Sequence, residues 1–252
     1  MTDFAGHNLP KRDSLFEAVT PVGTYGGAGH FVEYFGGADY DRNLWKSWNS
    51  DTGGGTGEGT TIDNGTCLNA WQHKGGGVEM ITNSNQYGMT WLGMGSTQAF
   101  DKDGFVMISI ATRLTSDGAL QVGMTSNARQ NPRPVLNDAS RTEFLNSTNP
   151  SSIQMRVKSG SNASGQGLEL STSISGTNGA NGLKRYVYQI EGVGSINTVM
   201  GSINNVLEVV YTETNQNDYP DEDMSPYCGI STRGNSLQKC LWSYCECWNT
   251  GA

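Results

Sequence analysis

The stretch that decides the fold runs from Phe105 to Met124 and reads FVMISIATRLTSDGALQVGM. On both sides of the polar segment TSDG, apolar residues alternate with other residues, which is the pattern of two strands joined by a tight loop. The alternation predicts a hairpin that buries one face. That face consists of Val106, Ile108, Ile110 and Leu114 in the first arm and Leu120, Val122 and Met124 in the second.

The composition is that of a protein with many short strands and many turns. Its 252 residues include 34 glycines, while charged residues reach 16% and hydrophobic residues 35%, both below the shares of an average globular domain. Eleven or more strands are predicted at fairly regular spacing between Cys67 and Trp248, with no helical period between them. This series predicts an all-β fold, an antiparallel sandwich of two sheets.

Net charge and the start of the chain restrict the partners and the place of synthesis. The formal net charge is -8, and a negative field repels phosphate backbones, so nucleic acid is excluded as a partner. No apolar run is long enough to cross a bilayer, so no membrane partner is expected. The first residues, MTDFAGHNLPKRDSLF, lack the apolar region of a signal peptide, which predicts synthesis in a host cytoplasm without export.

The five cysteines are predicted to be free, buried thiols. Their odd number, their late clustering and the missing export signal argue against a disulfide framework. The alternative is a zinc site, because a C-x-C pair with one further cysteine and a histidine would complete a ligand set. The cysteines are Cys67, Cys228, Cys240, Cys245 and Cys247.

Residues 1–29 differ from the body of the chain, residues 30–252, and are predicted to form an extended N-terminal arm. A short helix is indicated where Asp13 and Ser14 precede LFEAV, and the glycine-rich segment GTYGGAGH separates this part from the body. An arm that docks on a neighbouring subunit is the preferred interpretation, and a loose terminus is the alternative. The apolar residues expected to dock are Phe4, Leu9, Leu15, Phe16 and Val19.

Five segments of the body carry a family resemblance. They are EYFGGADYDRNLWKSW, Phe100-Asp101 before GFVMISIATRL, LQVGMTSN, RYVYQIEG and SPYCGISTRGNSLQKCLWSYCECW. Their order resembles the concanavalin A-like lectin/glucanase jelly roll, as found in phage structural proteins and laminin-G-like modules, over roughly residues 30–250. The resemblance implies two curved, stacked sheets with a concave face that often binds sugar and sometimes only another protein.

Catalytic motifs of this family are missing or incomplete. Retaining glycosidases of the fold carry E-x-D-x-x-E along one strand, because two carboxylates must flank the same bond, and this motif is absent. Arg141-Thr142-Glu143-Phe144 resembles the R-[ST]-E-L strand of alginate-type polysaccharide lyases. In Tyr188-Gln189-Ile190-Glu191, however, Glu191 stands where the lyase histidine would be. The chain is therefore expected not to be an enzyme.

Glycan binding would use aromatic rings on which sugar faces stack, although tryptophans in sandwiches usually fill the core. Tyr87 and Trp91, in NQYGMTWLG, are the candidates for an exposed platform, and Trp71 is a third. In LWSYCECW, alternation places three aromatic residues on one face of a strand and two cysteines on the other. The aromatic residues are Trp242, Tyr244 and Trp248, and the cysteines are Cys245 and Cys247.

The acidic segment NDYPDEDM is predicted to be a solvated loop. A calcium site formed by Asp218, Asp221 and Asp223 is the alternative, and no other cofactor is expected.

Three functional hypotheses follow from these features. The leading one is a non-enzymatic virion structural protein of a phage, such as a capsid decoration protein or head fibre on the virion surface. It would assemble as a homo-oligomer and attach through its arm to other virion proteins such as a major capsid protein. The second is a carbohydrate-binding adhesin or receptor-binding module that recognises a cell-surface glycan. A polysaccharide lyase is the third.

Overall fold

The computed structural model describes residues 30–35, 44–50, 60–61, 67–69, 77–82, 88–94, 100–126, 140–147, 151–160, 167–176, 184–213, 218–232, 234 and 236–250, of which 48–50, 60–61 and 67–69 are described in their backbone only. The predicted arm and the predicted platform residues Trp71 and Tyr87 lie outside these ranges. None of the described segments forms a helix with the length and apolar character needed to span a membrane.

In the described part of the chain, sixteen strands form two antiparallel sheets of eight strands each. The predicted all-β, two-sheet sandwich is thereby confirmed. The strands are β1 (His30–Glu33), β2 (Trp45–Ser50), β3 (Thr60–Thr61), β4 (Cys67–Asn69), β5 (Val78–Ile81), β6 (Met89–Met94), β7 (Gly104–Arg113), β8 (Gly118–Thr125), β9 (Arg141–Asn146), β10 (Ser152–Lys158), β11 (Leu168–Ser175), β12 (Arg185–Val193), β13 (Thr198–Ile203), β14 (Val206–Thr212), β15 (Ser225–Thr232) and β16 (Lys239–Asn249).

The last two strands lie in the middle of the two sheets. Sheet A has the order β14-β13-β12-β7-β16-β5-β4, and β1 also pairs with β16. Sheet B has the order β11-β10-β9-β8-β15-β6-β2-β3. Among the described strands of each sheet, those that precede β7 therefore connect to the strands from β7 to β14 only through β15 or β16.

The predicted hairpin of Phe105 to Met124 is wrong. Strand β7 pairs with β12 and β16 in sheet A, whereas β8 pairs with β9 and β15 in sheet B. The chain thus crosses from one sheet to the other at TSDG. The buried Arg113 holds this crossing, because its Nη1 donates to Gly118 O at 3.1 Å and its Nη2 donates to Gly176 O at 2.9 Å. Alternation shows that a strand has a buried face, but it does not show which strand lies beside it.

The predicted core face is correct for the second arm and wrong for the first. Leu120, Val122 and Met124 belong to the core between the sheets. In β7 the core contains Phe105, Met107 and Ala111 instead. The predicted residues Val106, Ile108 and Ile110 lie on the outer face of sheet A, where Ile108 is partly exposed. Because apolar residues lie on both faces of this central strand, alternation alone does not show which face is buried between the sheets.

A bulge in β16 changes the predicted faces of LWSYCECW. The register shifts between Trp242, which pairs with Ala111, and Tyr244, which pairs with Ile110, as an extra residue in one strand requires. Trp242 therefore lies in the core, where its ring centroid is 4.7 Å from Phe35 and 5.0 Å from Trp45. The prediction that Trp242 shares a face with Tyr244 is wrong.

The described cysteines lie in the core with free thiols, as predicted. They are Cys228, Cys240, Cys245 and Cys247, and the side chain of Cys67 lies outside the described residues. Cys245 Sγ and Cys247 Sγ are 3.8 Å apart. Burial raises the pKa of the Cys247 thiol, and the neighbouring Cys245 adds to this effect. Among the described side chains no group of three or more His, Cys, Asp or Glu residues is placed to bind a metal ion, so the zinc alternative finds no support.

Candidate functional site

The outer face of sheet B carries charged side chains that are buried. In β10, Met155 and Val157 enter the core, while Arg156 and Lys158 point to the other side of the sheet. Strand β9 follows the same rule around the core residue Phe144. Its outward side chains Arg141 and Glu143 are fully buried, as is Lys158. Buried charges are costly unless they are paired or used, so this face is the first place to look for a site.

Strand register aligns five of these outward positions in one line, called here the central row. It runs across β15, β8, β9, β10 and β11, over about 19 Å at the usual strand spacing. The central row consists of Tyr227, Gly123, Glu143, Arg156 and Glu169. A second line beside it, called here the Trp91 row, consists of Trp91, Gly229, Gln121, Leu145 and Gln154.

Glu143 is the centre of a network in the central row. Tyr227 Oη donates a hydrogen bond to Glu143 Oε2, and Gln121 Nε2 donates to Glu143 Oε1 at 3.3 Å. Arg156 Nη1 lies 3.5 Å from Glu143 Oε1, while its Nη2 lies 2.5 Å from Glu169 Oε1. One guanidinium therefore contacts two carboxylates on opposite neighbouring strands. This network fixes the positions of a phenol, an amide, a guanidinium and two carboxylates before any ligand arrives.

Two glycines allow the long side chains to lie close to the sheet. A Cβ at Gly123 would come within 2.5 Å of Glu143 Cα, and a Cβ at Gly229 would come within 2.5 Å of Trp91 Cε3. The Trp91 ring thus lies against the backbone of β15. Its centroid is 5.5 Å from that of Tyr227, with 40° between the ring planes.

The central row is buried at one end and open at the other. Tyr227 and Glu143 are buried, whereas the Glu169 side chain is 32% exposed. Further along the outer face of β11, Ser171 and Ser173 are exposed as well. A ligand would therefore meet Glu169 and the serine hydroxyls first and the Glu143 network second.

Arg141 and Lys158 lie directly opposite one another in the β9–β10 ladder, on the same outer face as Glu143. Burial lowers the pKa of the Arg141 guanidinium, the carboxylate of Glu143 acts in the opposite direction, and the nearby Arg156 lowers it further. The central row therefore lies between the Trp91 row and this buried pair of basic side chains.

The structure places the predicted site residues as follows. Trp91 lies on the outer face of sheet B, but it is buried rather than exposed.

Asp218 accepts a hydrogen bond from Tyr211 Oη at 3.2 Å, Asp221 from Ser140 Oγ at 2.6 Å, and Asp223 from the Lys102 N–H at 3.2 Å. Because the described residues contain no cluster of metal-binding side chains, the calcium alternative has no support.

The two segments that resemble lyase motifs do not form one site. Arg141 and Glu143 lie on the outer face of sheet B. The second segment lies in β12 of sheet A, where Tyr188 and Ile190 enter the core, so Gln189 and Glu191 point away from the sandwich on its other side. Both sheets separate the two sets, and they cannot contact the same substrate.

Sequence reasoning missed Tyr227, Gln121, Arg156 and Glu169 as site residues. A signal was present in IQMRVK, where Gln154, Arg156 and Lys158 alternate with core residues. Three polar residues on one face of a strand predict either solvent exposure or a site. Their alignment with Glu143 depends on how separate strands are paired, so no single segment of the sequence reveals it.

Comparison with solved structures assigns the fold. A glycoside hydrolase family 16 endo-glucanase from Bacteroides ovatus matches with a TM-score of 0.59 at 11% identity, over 85% of this chain and 98% of that one. The Crh5 transglycosylase matches with a TM-score of 0.57 at 10% identity, over 88% and 84%. The chain has the concanavalin A-like jelly-roll fold. The Emp47p carbohydrate recognition domain matches this jelly roll with a TM-score of 0.50 at 10% identity, over 86% and 94%. No protein-family model and no curated protein sequence matches the chain.

These comparisons contradict the prediction of a non-enzymatic phage virion protein. The solved structures that resemble this jelly roll include an endo-glucanase, a transglycosylase and a carbohydrate recognition domain, and the virion and capsid terms find no support. The prediction that the chain is not an enzyme relied on the missing E-x-D-x-x-E motif, the missing lyase histidine and the absence of other catalytic motifs. The endo-glucanase and the transglycosylase among the similar structures contradict it. In the structure, the two carboxylates of the central row come from different strands, β9 and β11, and no linear motif brings them together. The homo-oligomer and the cell-surface glycan partner stay predictions.

Proposed function

We propose that the protein is a carbohydrate-active jelly roll that binds a glycan along the central row of sheet B. The observation that carries this proposal is the network around Glu143. Sugar hydroxyls take directional hydrogen bonds from carboxylate, amide and guanidinium groups, and sugar faces pack on aromatic rings. The central row and the Trp91 row place Glu143, Gln121 and Arg156 beside the rings of Trp91 and Tyr227.

The shape of the row favours an oligosaccharide over a single sugar. Binding groups follow one another across five strands, about 19 Å at the usual strand spacing. A ligand would enter past the exposed hydroxyls of β11 and the partly exposed Glu169 side chain. The hydrogen-bonded network around Glu143, at the buried end of the row, would provide specificity. The activities named for the similar solved structures, an endo-glucanase and a transglycosylase, support the same class of ligand.

A glycan array probed with the full chain tests the proposal. We expect binding to one class of oligosaccharide. In Glu143→Gln, the affinity for it should fall about tenfold or more, which corresponds to a loss of about 1.4 kcal/mol. The matched control is Glu191→Gln, which removes a carboxylate from the outer face of sheet A and should bind as the wild type does. Absence of any glycan ligand, or equal affinities of the two variants, would refute the proposal.

Hydrolysis is a second candidate, favoured by the two carboxylates that Arg156 bridges. Glu143 and Glu169 lie on strands two apart, and the Arg156 guanidinium lies between their carboxyl groups. Glycosidases use such a pair of carboxyl groups, one as the acid and the other as the base or nucleophile. For hydrolysis one carboxyl must carry a proton, so the substrate would have to displace Arg156 from one of them. Release of reducing ends from the bound glycan, lost in both Glu143→Gln and Glu169→Gln, would support this candidate. Binding without release would reject it.

A further inference from the structure

We propose that Gln154 is a further ligand-binding residue, whose Oε1 accepts a hydrogen bond from a free hydroxyl of the glycan, an inference that rests on the proposed binding along sheet B. Gln154 belongs to the Trp91 row and points to the outer face of sheet B, because its neighbours Ile153 and Met155 enter the core. The residue is 8% exposed, and its buried Oε1 accepts no hydrogen bond from the residues that the structure describes. A buried acceptor needs a donor, and a sugar hydroxyl supplies one.

The other glutamine of the Trp91 row has a different role. Gln121 and Gln154 lie on either side of Leu145, with which each of them pairs. Gln121 Nε2 donates to Glu143 Oε1 at 3.3 Å, so this amide takes part in the network that the chain builds by itself. Gln154 Oε1 has no such contact within the described part of the chain. The row therefore uses one glutamine to hold the network and leaves an acceptor of the other for a ligand.

Gln154 lies beside the open end of the outer face. Its partner in β11 is Ser171, which is exposed on the same face. The register shifts next to it, because Ser152 pairs with Ser175 while Gln154 pairs with Ser171, so β11 carries two extra residues at this point. Irregularities of this kind re-aim side chains and are frequent next to active sites. A glycan that enters past β11 would meet Gln154 before it meets the Glu143 network.

This acceptor sets a requirement on the sugar. In the free protein a water molecule can donate to Gln154 Oε1, and a ligand that displaces the water without replacing its hydrogen bond loses affinity. A sugar hydroxyl replaces that bond, whereas a deoxy position offers no donor and an O-methylated or branched position has lost its hydrogen. Sites that hydrogen-bond a substrate hydroxyl reject analogues without it far more strongly than apolar pockets reject a missing methylene. The ligand class is therefore glycans that leave this hydroxyl unsubstituted.

Calorimetric titration of the full chain tests the role of Gln154. The probes are cellotetraose, laminaritetraose and xylotetraose, together with the tetrasaccharide that the glycan array ranks first. We expect Gln154→Met, which keeps the length of the side chain, to weaken binding of the best probe tenfold or more. Because the variant breaks no hydrogen bond to Oε1 within the described structure, it should melt at the same temperature as the wild type or a higher one. The matched control is Gln189→Met, the same substitution on the outer face of sheet A, which should change neither binding nor melting.

Changing the ligand as well as the protein identifies the hydroxyl. Monodeoxy derivatives of the best probe remove its hydroxyls one at a time. One derivative should bind the wild type tenfold or more weakly than the parent does, yet bind Gln154→Met as well as the parent does, because its partner is already missing. The wild type should also reject the derivative that is O-methylated at that position. A wild type that binds every derivative as tightly as the parent overturns the inference, as does a loss that is equal in wild type and variant for every derivative.

Three further results would also count against the role of Gln154. If Gln154→Met binds as the wild type does while Glu143→Gln loses binding, the inference is overturned and the proposed glycan binding stands. If Gln154→Met melts well below Gln189→Met, the side chain supports the fold rather than a ligand, and the inference is overturned as well. If no probe and no arrayed glycan binds, the proposed function and this inference are both overturned.

Discussion

Trp91 lies directly over Gly229 of the neighbouring strand, so closely that a Cβ there would come within 2.5 Å of Trp91 Cε3. A larger residue must push the indole away from the sheet and from Tyr227. We expect Gly229→Ala to lower the free energy of unfolding by about 1–3 kcal/mol, as overpacking does. It should also weaken glycan binding. Urea denaturation and titration measure the two effects, and Gly234→Ala, where a Cβ meets nothing within 4 Å, is the control that should be silent.

The two faces of β7 predict opposite responses to a charge. Met107 is fully buried between the sheets, whereas Ile108 is partly exposed on the outer face of sheet A. We expect Met107→Asp to prevent folding, because an unpaired buried carboxylate costs several kcal/mol. Ile108→Asp should remain soluble with a reduced melting temperature. The yield of soluble protein and circular dichroism distinguish them, and the reverse order would mean that β7 faces the other way.

Arg113 should be essential for the crossing between the sheets. Its guanidinium donates to Gly118 O and Gly176 O, and its removal takes this donor away from both buried carbonyls. We expect Arg113→Met to lose about 2–4 kcal/mol of stability in chemical denaturation. Lys184→Met, which replaces an exposed basic side chain just before β12, should lose less than about 0.5 kcal/mol. Similar losses in the two variants would argue against the role of Arg113.

Stability should fall in alkaline solution because of tyrosines. Burial, together with the charge of Asp218, raises the pKa of Tyr211 to about 12 from its ordinary value of 10.0. Burial also raises the pKa values of Tyr188, Tyr219 and Tyr244. The unfolded chain releases these protons at lower pH than the folded one, so the free energy of unfolding decreases as pH rises above about 10. Denaturation at pH 8 to 11 should show the decrease, and Tyr211→Phe should make it shallower. Native tyrosines that all titrate near pH 10 would contradict this.

Local patterns in the sequence predicted those features that depend on one strand at a time. β10 alternates polar and apolar residues over its whole length, and this alternation predicts a strand over Ser152–Lys158. β13, by contrast, was not predicted, because TVMGSI contains a glycine that weakens a strand pattern. The structure explains Gly201 by packing, since a Cβ there would collide with Met155 Sδ and Phe144 Cζ in the core.

The site could not be predicted because its residues lie on different strands, which only strand pairing brings side by side. Arg141 and Glu143 stood out in the sequence only because their segment resembles a lyase motif. The second segment of that motif lies in β12, on the opposite side of the sandwich. No recognisable motif surrounds Glu169 in the sequence. In the structure, it is connected to Glu143 through Arg156, which lies on the strand between them and contacts both carboxylates. Such a network is decided by register across three strands, and a slip of one residue would turn every member to the other face.

The central positions of β15 and β16 determine when the chain can fold. Ser109 and Trp242, joined by a hydrogen bond of 2.7 Å, are 133 residues apart, and contacts of such separation slow folding because a long loop must close first. Until residues 225–249 leave the ribosome, β7 and β8 each expose an unpaired edge. During synthesis these two edges are the places where a second nascent chain could pair by mistake. Chaperone binding to the unfinished chain should therefore persist until the last strands emerge.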